Sequence, residues 1–260
     1  MTRLAALMLA AFAAGAAQAE EAPICTDRPG KANAVCAVPP GKVQLETAGV
    51  DWTLAGSDES RTELLTVGAS LLKLGLSEGS DLQIGITPYA ELTTRDRDMR
   101  RVRGVGDTVI RYKQRLTRED ARLQAAVIPF LKLPTASHGL GNGKVEGGVA
   151  LPISLALVPE VTITFGPEVD IHADDVGKGR HLALVNLVNL SAPIAPRLTV
   201  AAELWTGFDF QRGRTTKQAS ADAAAAYALS KTVQLDAGAN VGLTRETPDL
   251  EAYAGLSFRF

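Results

Sequence analysis

Apolar and polar residues alternate one by one along most of this chain, from Val43 to the last residue. The final segment shows the pattern most clearly. Leu250, Ala252, Ala254, Leu256, Phe258 and Phe260 fall on one face, and Glu251, Tyr253, Gly255, Ser257 and Arg259 fall on the other. A period of two marks a β-strand with one apolar and one polar side. Val161, Ile163, Phe165, Val169 and Ile171 oppose Thr162, Thr164, Glu168, Asp170 and His172 in the same way, and Leu82, Ile84 and Ile86 oppose Asp81 and Gln83. Such segments predict strands beginning near Val43, Thr62, Leu82, Asp107, Arg122, Lys144, Val161, His181, Leu198, Gln218, Val233 and Leu250. The facing of His181–Ser191 is ambiguous. Helix propensity alone allows a helix over the alanine-rich stretch 221–226, but Asp222 and Tyr227 keep the period of two.

The connections carry a second signal. Those at 77–79, 117–120, 158–160 and 230–232 are short, whereas 93–104, 134–143, 173–179 and 211–217 are longer and polar. Outer-membrane barrels have short periplasmic turns and longer outside loops; a soluble sandwich has no reason to sort its connections this way. Most of the segments also approach the ~9–11 residues that a tilted membrane strand needs. The expected fold is all-β, a transmembrane antiparallel up-and-down β-barrel of about twelve strands over residues 42–260, placed in the bacterial outer membrane. Beyond the N-terminus, no uninterrupted apolar run approaches the ~18 residues of a membrane helix. A chain entering lipid must then close its sheet, because lipid satisfies no open edge. Tyr253, Gly255, Phe258 and Phe260 form the expected C-terminal assembly signal for the barrel-assembly machinery. Trp205 is an exception among the aromatics, because its parity groups it with Glu203 and Asp209 on the inward face.

Residues 1–19 carry Arg3, an apolar stretch and Ala17-Gln18-Ala19, the pattern of a cleaved signal peptide. Residues 20–41 lack a period and are expected to form a short periplasmic extension. Cys25 and Cys36 lie within it. In an exported chain such a pair reads as a small disulfide loop, and a redox or metal role lacks both a C-x-x-C spacing and a nearby histidine. The formal net charge of −2 gives no sign of a nucleic-acid partner.

Inward-facing charges are the candidates for function. Arg111, Lys113 and Lys132 cluster on the fourth and fifth strands, while Glu168, Asp170, Glu203, Asp222 and Asp236 lie on later ones. Across a narrow lumen they set up a field that orients polar solutes, or they form an ion-pair network that fills the barrel; both roles are open. Twelve strands fall between the side-chain-filled eight and the water-filled sixteen, so a narrow, partly plugged lumen is expected. Ser137, His138 and Asn142 sit in a glycine-dense loop that either folds inward as a constriction or stays on the surface. Arg95, Arg97, Arg100, Arg101 and Arg103 are read as an outer loop, facing lipopolysaccharide phosphates or water. His138, His172 and His181 show no nucleophile spacing that supports catalysis. His172, Asp170 and His181 could meet at one rim, but neither a metal nor a cofactor is expected from three scattered residues.

Three motifs add a resemblance. Gly104-Val105-Gly106-Asp107 leads a strand carrying Lys113 and Leu116, Phe130-Leu131-Lys132-Leu133-Pro134-Thr135 ends another, and Gln218, Ser220 and Asp222 precede Tyr227. Through them, most of the chain from Gly41 to Phe260 resembles the outer-membrane transporter family labelled for the meta-pathway of phenol degradation. The resemblance implies passive passage of small hydrophobic or aromatic compounds, with outer-membrane lipid and lipopolysaccharide as surroundings. Its motifs identify the barrel type better than the cargo. The alternative is a structural or surface-interaction barrel with a closed lumen.

Overall fold

The structure is a computed structural model and describes residues 22–57 and 60–260. The expected signal peptide lies outside the described residues. Among them, sixteen strands form and no helix does. They are β1 (Val43–Gly56), β2 (Arg61–Ser77), β3 (Ser80–Ile86), β4 (Tyr89–Arg95), β5 (Met99–Gly104), β6 (Thr108–Arg115), β7 (Leu123–Leu133) and β8 (Glu146–Ala150). There follow β9 (Ile153–Val158), β10 (Val161–Phe165), β11 (Glu168–Ala173), β12 (Arg180–Ala195), β13 (Leu198–Asp209), β14 (Thr216–Ala228), β15 (Val233–Gly242) and β16 (Leu250–Arg259).

Four pairs of consecutive strands are halves of single staves. β3 and β4 both pair with β2, and they continue onto β6 and β5. β8 and β9 both pair with β7, and β10 and β11 both pair with β12. Counting each pair once leaves twelve antiparallel staves, closed into a barrel where β16 pairs with β1. The fold class and the stave count agree with the sequence pattern, and the alanine-rich stretch is strand in β14.

Two expectations need correction. The third, fourth, sixth and seventh strands are interrupted at Pro88, Gly106, Pro152 and Pro167. Three of the four breaks carry a proline, which has no N–H to give the ladder; the fourth falls at Gly106. Neighbouring staves bridge the gaps, with Gly106 N donating to Thr87 O at 2.8 Å, Leu151 N to Pro167 O at 2.9 Å and Gly166 N to Leu187 O at 3.0 Å. The arginine-rich stretch 95–103 is not a loose loop. It is mostly the β4–β5 hairpin, which turns at Asp96–Asp98. Glu91 on the paired strand holds Arg101 at 3.1 Å and Arg103 at 2.5 Å, offsetting repulsion among the arginines.

The polarity of the barrel is inside-out. Leu72, Ile84, Ile110, Val169, Leu182, Leu204 and Val241 are exposed on the outer wall, while Gln44, Glu46, Lys73, Asp81, Gln83, Lys113, Glu203 and Asp236 are buried inside. Water would penalise that arrangement and lipid favours it. Leu204 lies near the middle of β13 and is 59 % exposed. Leu204→Arg is therefore expected to destabilise the barrel by about 2–4 kcal/mol in vesicles, the cost of a cation near the bilayer midplane. A urea titration followed by heat-modifiable gel mobility checks it; an unchanged midpoint would mean that this face does not meet lipid.

Candidate functional site

The lumen is occupied by the chain's own N-terminal segment. This corrects the expectation of a separate periplasmic extension: from Ile24, whose N–H donates to Lys231 O in a short turn, the segment runs into the barrel. It returns at Gly41 and Lys42, which exchange hydrogen bonds with Gly75 of β2. Gly75 makes this passage possible, because a Cβ there would collide with the carbonyls of Val38 and Pro39. Cys25 and Cys36 are disulfide-bonded, with their Cα atoms 6.0 Å apart, which ties the segment into a loop.

An irregular segment has no ladder of its own, yet buried backbone N–H groups need partners. Carboxylates from the wall supply them. Glu46 accepts from the N–H groups of Asp27 and Arg28 at 3.0 and 3.2 Å, Glu203 from those of Lys31 and Ala32 at 3.1 and 3.0 Å, and Asp81 from that of Val38 at 2.9 Å.

The side chains of the segment sort by sign. Asp27 faces the basic wall, with Lys113 at 2.7 Å, Lys73 at 2.8 Å and Arg111 at 3.8 Å. Lys73 also pairs with Glu46, and Arg111 bonds Asn33 Oδ1. Arg28 and Lys31 face the acidic wall, Arg28 on Asp236 at 2.6 Å and Lys31 on Asp222 at 2.9 Å. Two aromatics complete the cradle. Lys31 Nζ lies 5.0 Å from the ring centre of Trp205, and Arg28 Cζ lies 5.6 Å from that of Tyr253. Both are cation–π distances. Gly255, beside Tyr253 on the same inward face, leaves the space that the Arg28 guanidinium occupies. Burial pushes the Asp27 carboxyl up, but Lys113, Lys73 and Arg111 outweigh it and hold the group well below the usual carboxylate range.

Of the inward charges picked out by parity, Arg111, Lys113, Glu203, Asp222 and Asp236 meet on this segment. Lys132 stands apart, bound to Asp107 at 3.0 Å and Glu146 at 3.1 Å. Glu168 lines a smaller cavity of about 220 Å³ with Lys31, Asn33 and Trp205, and the buried Asp170 is the next inward residue on β11. The loop candidates do not come together. Ser137 is bonded to Val105 through its N–H and its Oγ, His138 is exposed, and Asn142 joins Lys132 at 2.8 Å and Glu146 at 2.7 Å. Phe258 and Phe260 stack on the outer face, with ring centres 5.7 Å apart.

Sequence reading missed Asp27, Arg28 and Lys31, because nothing in an aperiodic stretch says that it turns inward. Glu46 and Lys73 were missed as well, although the sequence carries a signal for both. Glu46 shares a face with Gln44 opposite Val43 and Leu45, and Lys73 is a lone charge in a run of leucines.

Between the segment and the wall a cavity of about 490 Å³ remains. Gln124, Ser154, Thr164, Asn189, Ser191 and Ala226 line its wall side. It offers hydroxyl, amide and methyl groups, a surface suited to small solutes with both apolar and hydrogen-bonding parts.

The fold and its occupied interior define an outer-membrane β-barrel with an internal plug. The chain belongs to the family described as "Putative MetA-pathway of phenol degradation", whose sequence profile matches residues 26–260. That span includes the charged part of the plug. Among solved structures, an outer membrane channel from Pseudomonas putida F1 is similar, with a TM-score of 0.66 and 13 % identity, covering 90 % of this chain and 99 % of that one. The translocator domain of the autotransporter NalP from Neisseria meningitidis has a TM-score of 0.53 and 13 % identity, covering 86 % of this chain and 90 % of that one. The porin NanC has a TM-score of 0.54 and 9 % identity, covering 83 % of this chain and 98 % of that one. At these identities the likeness is one of fold. No curated protein matches the chain.

Proposed function

We propose that this protein is an outer-membrane channel for passive passage of small hydrophobic or aromatic compounds, and that residues 22–42 gate it. The observation that carries the reading is the match of charge between plug and wall: Asp27 on the basic side, Arg28 and Lys31 on the acidic side. Ion pairs and amide–carboxylate bonds exchange for water at little net cost compared with an apolar core. A segment held this way can leave a wall that stays soluble in its absence. The cavity of about 490 Å³ beside the segment supports a small cargo, and the family description supports an aromatic one. Outer-membrane lipid and lipopolysaccharide phosphates are the proposed surroundings, the latter met by the exposed Arg100 at the β4–β5 tip.

The test is solute flux into liposomes containing the whole refolded protein, with phenol, a phenolic acid and a neutral sugar of similar size. Expected is slow flux that favours the aromatics severalfold and rises when residues 22–41 are deleted. The filled lumen equally suits a closed structural barrel. Absence of flux in both proteins would establish that alternative, and equal flux of sugar and phenol would remove the aromatic preference.

A further inference from the structure

At one rim of the barrel, β11, β12 and β13 assemble a group of ligands that passage through the lumen does not use. His172 and His181 are direct partners across the β11–β12 ladder, and Asp209 ends β13 beside them. Asp209 Oδ2 lies 2.9 Å from His172 Nδ1 and 3.1 Å from His181 Nε2, and Asp209 Oδ1 lies 3.0 Å from the same Nε2. One ligand atom from each of the three residues falls within 4.8 Å of the others. Asp170, two positions before His172, stands 3.9 Å from His172 Nε2, on the other ring nitrogen from Asp209.

A second observation gives the cluster its direction. Asp174 Oδ1 sits 2.7 Å from His181 Nδ1, on the opposite side of the ring from Asp209. A carboxylate accepting the N–H of one ring nitrogen fixes the tautomer and turns the other nitrogen into an oriented, more basic ligand, as around metal-bound histidines. With its proton on Nδ1, neutral His181 points the lone pair of Nε2 at the lone pairs of Asp209. Either a proton on Nε2 or a metal cation bridges these two acceptors, and zinc titration distinguishes the two. Two metal–ligand bonds of ~2.0–2.1 Å at a tetrahedral angle separate the ligand atoms by ~3.3 Å, so the two Asp209–histidine spacings need open by only a few tenths of an ångström, while the two histidine nitrogens lie within 4.8 Å of each other. Two imidazoles and one carboxylate suit a zinc-class ion and do not suit magnesium or calcium, which take oxygen shells. A cavity of about 330 Å³, lined also by Asn142, Glu146 and Arg214, opens onto the cluster and leaves room for water as a fourth ligand.

We propose that His172, His181 and Asp209 bind a divalent transition-metal ion of the zinc class at the rim, with Asp174 positioning His181. The ion would clip three consecutive staves together and steady the loops at 174–179 and 210–215.

The test is calorimetric titration of the whole refolded protein with zinc chloride, and in parallel with magnesium and calcium chlorides. Expected is one zinc ion per chain and no saturable binding of the other two. His172→Gln and His181→Gln should each weaken binding at least about tenfold, and Asp174→Asn should weaken it by about 10–100-fold with the stoichiometry kept, the usual effect of removing a supporting carboxylate. Heat-modifiable gel mobility establishes that each variant is folded. The proposal fails if the wild type binds no zinc saturably, or if the folded His172→Gln/His181→Gln double variant binds it as tightly as the wild type.

Discussion

Asp27→Asn is expected to raise the open fraction of the barrel about a hundredfold, a change read as conductance across a planar bilayer. Among the described residues of the plug, Asp27 is the single anion, and it faces three cations of the wall. Removing one partner of a buried ion pair costs about 3–5 kcal/mol, because the remaining charge stays buried and unpaired. Lys73 keeps Glu46, so the lower end applies here, and about 3 kcal/mol corresponds to a factor of about a hundred in an equilibrium. Lys113 has no second ion pair at contact distance among the described residues. Adding Lys113→Gln to Asp27→Asn is therefore expected to recover part of the loss, as a double-mutant cycle on a contacting pair should. A folded Asp27→Asn barrel that conducts no more than the wild type would show that the pair does not hold the plug.

The same residue sets an acid limit. Its carboxyl lies well below the usual range when docked, because Lys113, Lys73 and Arg111 outweigh burial, and returns to about 3.9 when the segment is free in water. A group depressed in the docked state contributes fully above its free value, and the contribution is lost as pH falls toward the docked one. The Asp27 contribution to closure should stay constant from neutral pH down to about 4 and fade below that. Opening between pH 5 and 7 would have to come from another group.

Breaking the disulfide is the second large effect. Cys25 and Cys36 close a loop that carries Asp27, Arg28 and Lys31, three charges that pair with the two walls. A cross-link over a loop this short removes about 3 kcal/mol of chain entropy from the free segment. The docked segment is already ordered, so the Cys25→Ser/Cys36→Ser variant, or the reduced wild type, should favour the undocked state by up to about a hundredfold. The urea midpoint of the barrel should not move, because the bridge touches no stave-to-stave bond. A protease should cut the segment between the two positions faster in the variant. Equal conductance and equal proteolysis in oxidised and reduced protein would show that the segment stays docked without its bridge. This effect and that of Asp27→Asn are not expected to add, since both act on one loop.

The wall of this protein was legible in its sequence and the contents of the wall were not. Alternation is a local property: Leu204 and Glu203 sit on opposite faces because successive Cβ atoms point to opposite sides of a strand, and no distant contact alters that. Period two therefore determined the strands, their number once the half-staves are joined, the lipid and lumen faces, and the inward placement of Lys113, Asp222 and Asp236. Composition in an exported chain also foretold the Cys25–Cys36 pair. The breaks at Pro88, Pro152 and Pro167 were visible as prolines, but the apolar parity runs straight through them and hides the loss of hydrogen bonds. Tertiary structure alone decided where residues 22–42 go. That segment has no period, and its partners are remote: Arg28 binds Asp236 from 208 positions away. It also decided that Asp209, rather than the sequence neighbour Asp170, meets both His172 and His181. Strand pairing brings together residues whose separation along the chain is set by loops, and loop length carries no mark of which side chains will face each other.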